Sequence, residues 1–308
     1  MSRILITGVH GFVGSHLAYH LKSMGGEVFG FDLRATSSDK NFYQGELTDR
    51  NKLKQVLEDV KPDIVFHLAG VIKSSQSEIL YKANFLGTVA LLDQIMESDR
   101  RPIVIVASSS AVYGHKSGAK PISERTQLHP LTDYAVSKAA QELAALRYYE
   151  SFNLPVIIVR MFNLLGPGQP ADLACSAFAR QIALGELNGQ TEIVTGNLDA
   201  RRDFVDVRDA VRAFELVAER GKAGQVYNVC SGRVVSIRAC LDRMIDMSPH
   251  QFAVRVDAEK IQKNDVPIQV GSSLKLSRVT GWRPQISFKQ SLSDLLDDWR
   301  QRVKSELE

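Results

Sequence analysis

Two residues four positions apart, Tyr134 and Lys138, have the types and the spacing of an acid-base pair. They begin a segment, 134–152, whose pattern predicts a helix, and positions i and i+4 share one face of a helix. A nearby ammonium lowers the pKa of a phenol, which suits proton transfer to or from a carbonyl oxygen. The spacing alone fits two exposed residues of an amphipathic helix equally well.

A run of serines, Ser108–Ser110, supports the catalytic interpretation. It follows an apolar segment, Pro102–Val106, that precedes the predicted helix. A carbonyl that receives a proton from Tyr134 needs a second hydroxyl donor, and a neighbouring strand end can supply one. The sequence therefore predicts that one of the three serines acts together with Tyr134 and Lys138.

A glycine-rich turn follows the first apolar segment and opens the first predicted helix. Gly8 permits a tight turn, Gly11 lets the backbone approach a pyrophosphate, and Gly14 lets the helix pack closely. The N-terminus of the helix then faces the phosphates. We predict a dinucleotide-binding site here, with Phe12 and Val13 also in contact with the cofactor.

The second predicted strand ends at Asp32, the acid expected to bind a ribose hydroxyl. A carboxylate there favours NADH because it repels a 2′-phosphate, whereas Arg34 can accept that phosphate. The predicted cofactor is therefore NADPH or NADH, and the sequence leaves the choice open.

Short apolar segments alternate with longer helical patterns along the first half of the chain. The predicted strands are 4–6, 27–31, 63–68, 102–106 and 155–159, and the predicted helices are 12–24, 50–60, 77–97 and 134–152. Strands that are apolar on both faces are typical of a buried parallel sheet. The alternation predicts an α/β fold with a doubly wound parallel Rossmann sheet, followed by a smaller α/β C-terminal substrate-binding lobe.

Composition argues against several other classes of protein. The 308 residues carry a net charge of +3, with 44% hydrophobic and 24% charged residues, so we expect a globular protein that binds neither nucleic acid nor membrane. The N-terminus does not read as a signal peptide. Three cysteines without metal-site spacing predict buried or half-buried thiols, no metal site and a cytoplasmic location.

The order of glycine turn, serine, Tyr134 and Lys138 resembles the short-chain dehydrogenase/reductase superfamily. Further segments resemble its extended branch, which modifies nucleotide sugars. These segments are Glu46-Leu-Thr-Asp49, His67-Leu-Ala-Gly70, Asn84, Arg160-Met-Phe-Asn163, Gly166-Pro-Gly168, Arg202-Asp-Phe-Val205, Val207-Arg-Asp209 and Gly281-Trp-Arg-Pro284. The first departs from the family pattern, because Glu46 stands in place of an aspartate.

The resemblance implies a role for each matching residue. Ser109, four residues before Tyr113, aligns with the catalytic Ser/Thr, Tyr134 is the acid or base, and Lys138 tunes the tyrosine and binds the nicotinamide ribose. The remaining cofactor contacts are expected at Glu46, Leu47, Leu68, Ala69, Gly70 and Asn84. The expected substrate contacts are Ser109, Ser110, Asn163 and Arg202, the last two at the diphosphate.

Ala111 separates the reactions that this family carries out. Nucleotide-sugar 4,6-dehydratases resemble this segment but place a Glu, often after an Asp, directly after the catalytic Ser/Thr. Elimination needs such a general base, and a methyl group cannot act as one. Two reactions remain: reduction of a 4-keto sugar, or 4-epimerisation by an enzyme with tightly bound NAD.

Four longer stretches resemble the bacterial GDP-6-deoxy-4-keto-D-mannose reductases, which form GDP-D-rhamnose. They are 160–169, 227–232, 265–271 and 281–286. The resemblance implies hydride transfer from NADPH or NADH to C4 of a GDP-linked 4-keto-6-deoxy sugar, with Tyr134 protonating the oxygen. Related reductases often carry an arginine where this chain has Gln262, and a 6-deoxyheptose substrate stays open. So does a non-enzymatic dinucleotide sensor.

The resemblance also carries expectations about domains and assembly. We expect an NAD(P)-binding Rossmann domain at 1–166 and a nucleotide-sugar-binding lobe at 167–308, with roughly 204–230 returning to the Rossmann domain. In relatives, the helices that correspond to 77–97 and 134–152 form a four-helix contact between subunits. A homodimer is therefore expected.

Overall fold

Strands and helices alternate along the chain, as the apolar segments predict. The computed structural model describes residues 2–34, 40–115, 120–261 and 266–306. The first elements are β1 (Arg3–Thr7), α1 (Phe12–Ser23), β2 (Glu27–Asp32), β3 (Phe42–Gln44), α2 (Arg50–Val60), β4 (Ile64–His67), α3 (Ser77–Leu80), α4 (Gly87–Glu97), β5 (Ile103–Ser109), α5 (Asp133–Phe152) and β6 (Val156–Met161). The later elements are β7 (Asn163–Leu165), α6 (Ala174–Asn188), β8 (Glu192–Thr195), β9 (Arg201–Asp206), α7 (Val207–Arg220), β10 (Val226–Val229), β11 (Val234–Ser236), α8 (Ile237–Ile245), β12 (Ala253–Val256), β13 (Ile268–Gln269), α9 (Leu274–Thr280) and α10 (Phe288–Ser305).

The described residues form a central sheet of seven parallel strands in the order β10-β6-β5-β4-β1-β2-β3. Consecutive residues of β1 are buried on opposite faces: Leu5 packs in the core that α2 and α4 cover, and Ile6 in the core that α1 and α7 cover. The strand order reverses between β1 and β4, and a doubly wound sheet opens a crevice there at its carboxyl edge. The predicted doubly wound α/β fold is confirmed.

A smaller lobe is built mainly from the second half of the chain. β11, β9 and β13 form one sheet together with β7, and β12 pairs with β8. Helices α6, α8 and α10 enclose an apolar core that includes Trp299. The chain also returns to the central sheet, because β10 pairs with β6. The division between 166 and 167, with a return over 204–230, stays a prediction about domain boundaries.

The helix predicted over 77–97 needs a correction, because it is not one regular helix. A π-helical turn, Tyr81–Leu86, joins α3 to α4. Such wide turns occur often at functional sites. Here the turn carries Asn84, whose buried side chain bonds both backbone groups of Val71 in the loop after β4. These long-range bonds explain the irregularity, and local periodicity carries no sign of them.

Cys175, Cys230 and Cys240 are free and buried, as predicted for structural thiols. None of the helices in the described part of the chain is both long and apolar enough to cross a membrane.

Candidate active site

A cavity of about 1080 Å³ lies at the carboxyl ends of the central strands, between the sheet and the smaller lobe. The predicted site residues that line it are Gly8, Gly11, Phe12, Val13, Gly14, Leu68, Gly70, Asn84, Ser109, Ser110, Tyr134, Lys138, Asn163 and Arg202. The predicted cofactor contacts outside its lining are Asp32, Arg34, Glu46, Leu47 and Ala69. The fold therefore brings the glycine turn and the Ser-Tyr-Lys set to one cavity.

The glycine turn has almost no room for side chains. Gly8 has a φ of +73°, and a Cβ at this position would lie 2.7 Å from the Cα of Ala69. A Cβ on Gly14 would lie 2.1 Å from the carbonyl oxygen of Gly8. Helix α1 starts at Phe12 without a side-chain cap or an acidic residue in its first turn, so its amide groups and positive end face the cavity unshielded.

Asp32 and Arg34 lie beside the glycine turn, at the end of β2. The Asp32 carboxylate accepts hydrogen bonds from the backbone N–H of His10 at 3.0 Å and of Arg34 at 3.3 Å. The exposed Arg34 guanidinium donates to the carbonyl oxygen of His10 at 3.4 Å. The carboxylate and the guanidinium therefore stand next to each other, where the sequence places the adenosine ribose.

Glu46, Leu47 and Asn84 have partners within the protein. The exposed Glu46 pairs with Lys82 at 2.6 Å, and Leu47 is buried. The Lys82 hydrogen bond lowers the pKa of Glu46. Asn84 donates to the Ser137 hydroxyl at 2.9 Å, so it ties the loop after β4 to helix α5. Their direct contact with a cofactor stays a prediction.

The catalytic candidates lie where β5 ends and α5 begins. Ser109 is the last residue of β5, and its hydroxyl accepts the Ala111 N–H at 3.1 Å. Tyr134 lies in the first turn of α5, half-buried, and hydrogen-bonds with Ser109. Lys138, one helical turn later, is buried and donates to the carbonyl oxygen of Ala107 at 2.5 Å. The side chains of Ser109 and Tyr134 can thus reach one carbonyl oxygen.

Burial sets the proton affinities of this pair. It lowers the pKa of the Lys138 ammonium to about 8, against the opposing effect of Glu142. It raises the pKa of the Tyr134 phenol, and the Ser109 hydrogen bond acts in the other direction. The expected lowering of the tyrosine pKa is therefore not seen in this structure, because desolvation outweighs it. At neutral pH the phenol is protonated and can donate a proton.

The cavity wall contains a residue that the sequence did not indicate, Gln269. The Gln269 side chain of β13 accepts a hydrogen bond from the Ser110 hydroxyl at 3.0 Å. It also donates a hydrogen bond to the Ser110 carbonyl oxygen at 3.0 Å. In the smaller lobe it pairs in register with Arg202 of β9. The two residues of the Ser110–Gln269 pair are 159 positions apart, so no local pattern could have indicated the contact.

The predicted substrate contacts lie on the same wall. Asn163 donates to the carbonyl oxygen of Asp203 at 3.3 Å. The Arg202 guanidinium donates to the carbonyl oxygen of Val266. Both side chains line the cavity, as the sequence predicts for residues that meet a diphosphate, whereas Gln262 lies outside the described residues.

A glycine turn fit for a dinucleotide, together with serine, tyrosine and lysine at the same cavity, defines an extended short-chain dehydrogenase/reductase. The chain belongs to the GDP-mannose 4,6 dehydratase family, whose model matches residues 5–295. The family resemblance of the sequence motifs is confirmed.

Known members of this family are similar along almost the whole chain. The GDP-6-deoxy-D-mannose reductase of Pseudomonas aeruginosa is 33% identical over 310 residues, which are 99% of each chain. The GDP-6-deoxy-D-talose 4-dehydrogenase of Aggregatibacter actinomycetemcomitans is 29% identical over 91% of each chain. The solved structure of RMD from Pseudomonas aeruginosa with NADPH superimposes with a TM-score of 0.89 at 32% identity, over 98% of this chain and 100% of that chain.

Proposed function

We propose that this chain reduces the C4 keto group of GDP-4-keto-6-deoxy-D-mannose to form GDP-D-rhamnose, with NADPH or NADH as the hydride donor. The observation that carries the proposal is a complete set of Ser109, Tyr134 and Lys138 at one cavity. Ser110 and Ala111 follow Ser109, at the positions where a dehydratase would carry acidic residues. Full-length similarity to a GDP-6-deoxy-D-mannose reductase supports the choice of substrate.

The residues present fit a nicotinamide dinucleotide. Gly8 and Gly14 leave the backbone open at the uncapped start of α1, which is the arrangement that binds a pyrophosphate. Asp32 would bind a ribose hydroxyl, and Arg34 would bind a 2′-phosphate when one is present. When bound, the reduced cofactor supplies the hydride that the sugar carbon accepts.

The protein's own groups then have separate tasks. The Ser109 hydroxyl would hold the C4 carbonyl oxygen, and the Tyr134 phenol would donate its proton to that oxygen as hydride arrives. The Lys138 ammonium, fixed on the Ala107 carbonyl, would stabilise the phenolate that remains. Asn163 and Arg202, on the wall of the smaller lobe, would hold the diphosphate.

Dehydration is disfavoured by the two residues that follow Ser109 at the end of β5. The Ala111 side chain is a methyl group, and the Ser110 hydroxyl donates a hydrogen bond to the Gln269 side-chain oxygen. Neither residue can remove a carbon-bound proton from a sugar. An epimerase would use the same Ser109 and Tyr134, so the fate of the cofactor distinguishes it from a reductase.

We also propose that the enzyme is a cytoplasmic homodimer. Apolar side chains lie exposed on α3, on the π-helical turn and on α5, at Ile79, Leu86, Val136 and Leu143. In a dimer of the expected kind these faces would pack together as four helices, which would bury side chains that are otherwise costly to expose. The buried free cysteines are compatible with a reducing compartment.

The test is turnover of freshly prepared GDP-4-keto-6-deoxy-D-mannose with NADPH or NADH, followed by nicotinamide absorbance and by NMR of the product sugar. We expect one cofactor oxidised for each GDP-D-rhamnose formed, and a loss of turnover in Tyr134→Phe. If no cofactor is consumed and the purified protein retains NAD, the reductase proposal fails and the 4-epimerase replaces it.

A further inference from the structure

A buried pair of charges lies behind the catalytic strand, away from the cavity. The Glu142 carboxylate of α5 accepts three hydrogen bonds from the Arg160 guanidinium of β6, at 2.6 Å, 2.9 Å and 3.1 Å. The residues are 1% and 5% exposed. A buried ion pair is weak evidence for stability, because desolvation can offset its attraction. Its place behind the active site calls for another explanation.

Glu142 completes a series of contacts between α5 and β5. Tyr134, Lys138 and Glu142 follow one another at intervals of four residues along the helix. Their partners are three consecutive residues at the end of the strand: the Ser109 hydroxyl, the Ala107 carbonyl oxygen and the Ser108 hydroxyl, respectively. The contact behind the site and the contacts within it therefore share one helix and one strand.

We propose that Glu142 is a positioning residue for the reduction: through Ser108 and Arg160 it fixes the register of α5 on β5. The register sets where the Tyr134 phenol stands relative to the Ser109 hydroxyl. The catalytic consequence of this assignment rests on the proposed function. The effect of the Glu142 charge on the pKa of Lys138 does not depend on the substrate.

Among the groups around Lys138, Glu142 carries the negative charge that favours the protonated ammonium. His67 of β4 is buried between two threonine hydroxyls, and burial lowers its pKa to about 3, so it is neutral. Tyr134 is protonated, and β5 presents a backbone carbonyl. Arg160 is cationic, so it cannot raise the pKa of Lys138. Glu142 is the group that raises the pKa of Lys138 against the effect of burial.

The network extends beyond the pair and anchors Arg160. Its guanidinium donates to the Tyr113 hydroxyl at 2.8 Å, which donates in turn to Asn228 of β10 at 2.7 Å. Tyr113 ends the short 3-10 turn that follows Ser109. The residues on either side of Ser109 are thus linked to Glu142: Ser108 directly, and Tyr113 through Arg160.

Two variants test the charge of Glu142 and its contact with Ser108. Glu142→Gln keeps a side chain of the same shape that can still accept from Ser108 but removes the charge, whereas Ser108→Ala removes the register contact and keeps the charge. Tyr148→Phe is the matched control, because it removes the hydrogen bond of another buried residue of α5, to Asp93, away from the cavity. A double variant, Glu142→Gln with Arg160→Gln, leaves no buried arginine unpaired if the single variant does not fold.

Kinetics as a function of pH provide the first readout. In Glu142→Gln the alkaline limb of the kcat profile should move to lower pH, because Lys138 loses its proton earlier. In the double variant the shift should have the same direction but be smaller, because the positive charge of Arg160 is removed as well. In Ser108→Ala, kcat should fall about tenfold without a shift of that limb, and the KM for NADPH should stay constant. An alkaline limb in the same place in all variants, or a Ser108→Ala kcat equal to that of Tyr148→Phe, would overturn the assignment.

An NMR titration of the lysine side chains provides the second readout, with the Lys138 signal identified by its loss in Lys138→Met. We expect Lys138 to titrate at lower pH in Glu142→Gln than in the unmodified protein. This readout needs no sugar substrate, so a failure of the reductase proposal and a failure of the positioning role give different results. An unchanged Lys138 titration would refute the charge contribution whatever the substrate proves to be.

Discussion

Replacing Gln269 with leucine tests whether the Ser110–Gln269 contact joins the smaller lobe to the end of β5. Leucine has a similar volume but removes both hydrogen bonds to Ser110, which are 3.0 Å long. Ser110 is 5% exposed and Gln269 is 7% exposed, so water cannot readily replace the lost hydrogen-bond partner of Ser110. Each buried polar group left unpaired costs about 1–3 kcal/mol. Two such groups on Ser110, at the lower end of that range, cost about 2 kcal/mol together.

A change of about 2 kcal/mol corresponds to about a thirtyfold change in an equilibrium constant. We expect Gln269→Leu to lower the free energy of unfolding in urea by that amount. The KM for the sugar nucleotide should rise up to about thirtyfold, because Arg202 lies beside Gln269, while the KM for NADPH stays within about twofold.

The control is Gln225→Leu, since Gln225 is exposed and its side-chain oxygen accepts a hydrogen bond at the exposed surface of the protein, from Lys275 at 2.9 Å. Equal losses in the two variants, or an unchanged urea midpoint in Gln269→Leu, would refute the inference that the Ser110–Gln269 contact joins the lobes. A rise in the KM for NADPH of the same size as that for the sugar would show that the contact serves the whole cavity rather than the substrate side.

Four further perturbations address the cofactor and the proton. Gly14→Ala should abolish NADPH binding measured by fluorescence, because the new Cβ would lie 2.1 Å from the Gly8 carbonyl oxygen; binding close to that of the unmodified protein would show that the turn can relax. Tyr134→Phe should lower kcat by about 10²-fold or more with NADPH binding retained, and a smaller loss would assign the proton to another donor. Since the pKa of Lys138 is about 8, kcat should fall as the pH rises through that value, and a profile that stays flat well above pH 8 would contradict a role for the ammonium. Arg34→Ala should raise the KM for NADPH about tenfold more than the KM for NADH, and equal changes would remove Arg34 from 2′-phosphate recognition.

The central sheet was predictable because each strand is short, apolar on both faces and separated from the next by a helical pattern. The same holds for the glycine turn, where the backbone geometry of Gly8 excludes side chains. These features depend on residues close together in the sequence. Local chemistry therefore predicts them.

Other features depend on contacts between distant residues. The π-helical turn around Asn84 follows from bonds to the loop after β4, and the partner of Ser110 comes from the last strand of the smaller lobe. The direction of the Tyr134 pKa shift depends on how deeply the folded chain buries the phenol. Sequence spacing indicated which residues share a helix face, but it could not indicate how much water the fold removes from them.

The central claim is that hydride passes from the cofactor to C4 of the sugar at the Ser-Tyr-Lys site. The most direct measurement uses NADPH, or NADH if that is the preferred donor, with deuterium at the reactive position of the nicotinamide, and GDP-4-keto-6-deoxy-D-mannose as substrate. We predict a GDP-D-rhamnose product that carries deuterium at C4 and no other ring carbon, detected by NMR. A sugar product without deuterium, formed while the label stays in the cofactor, would contradict the claim.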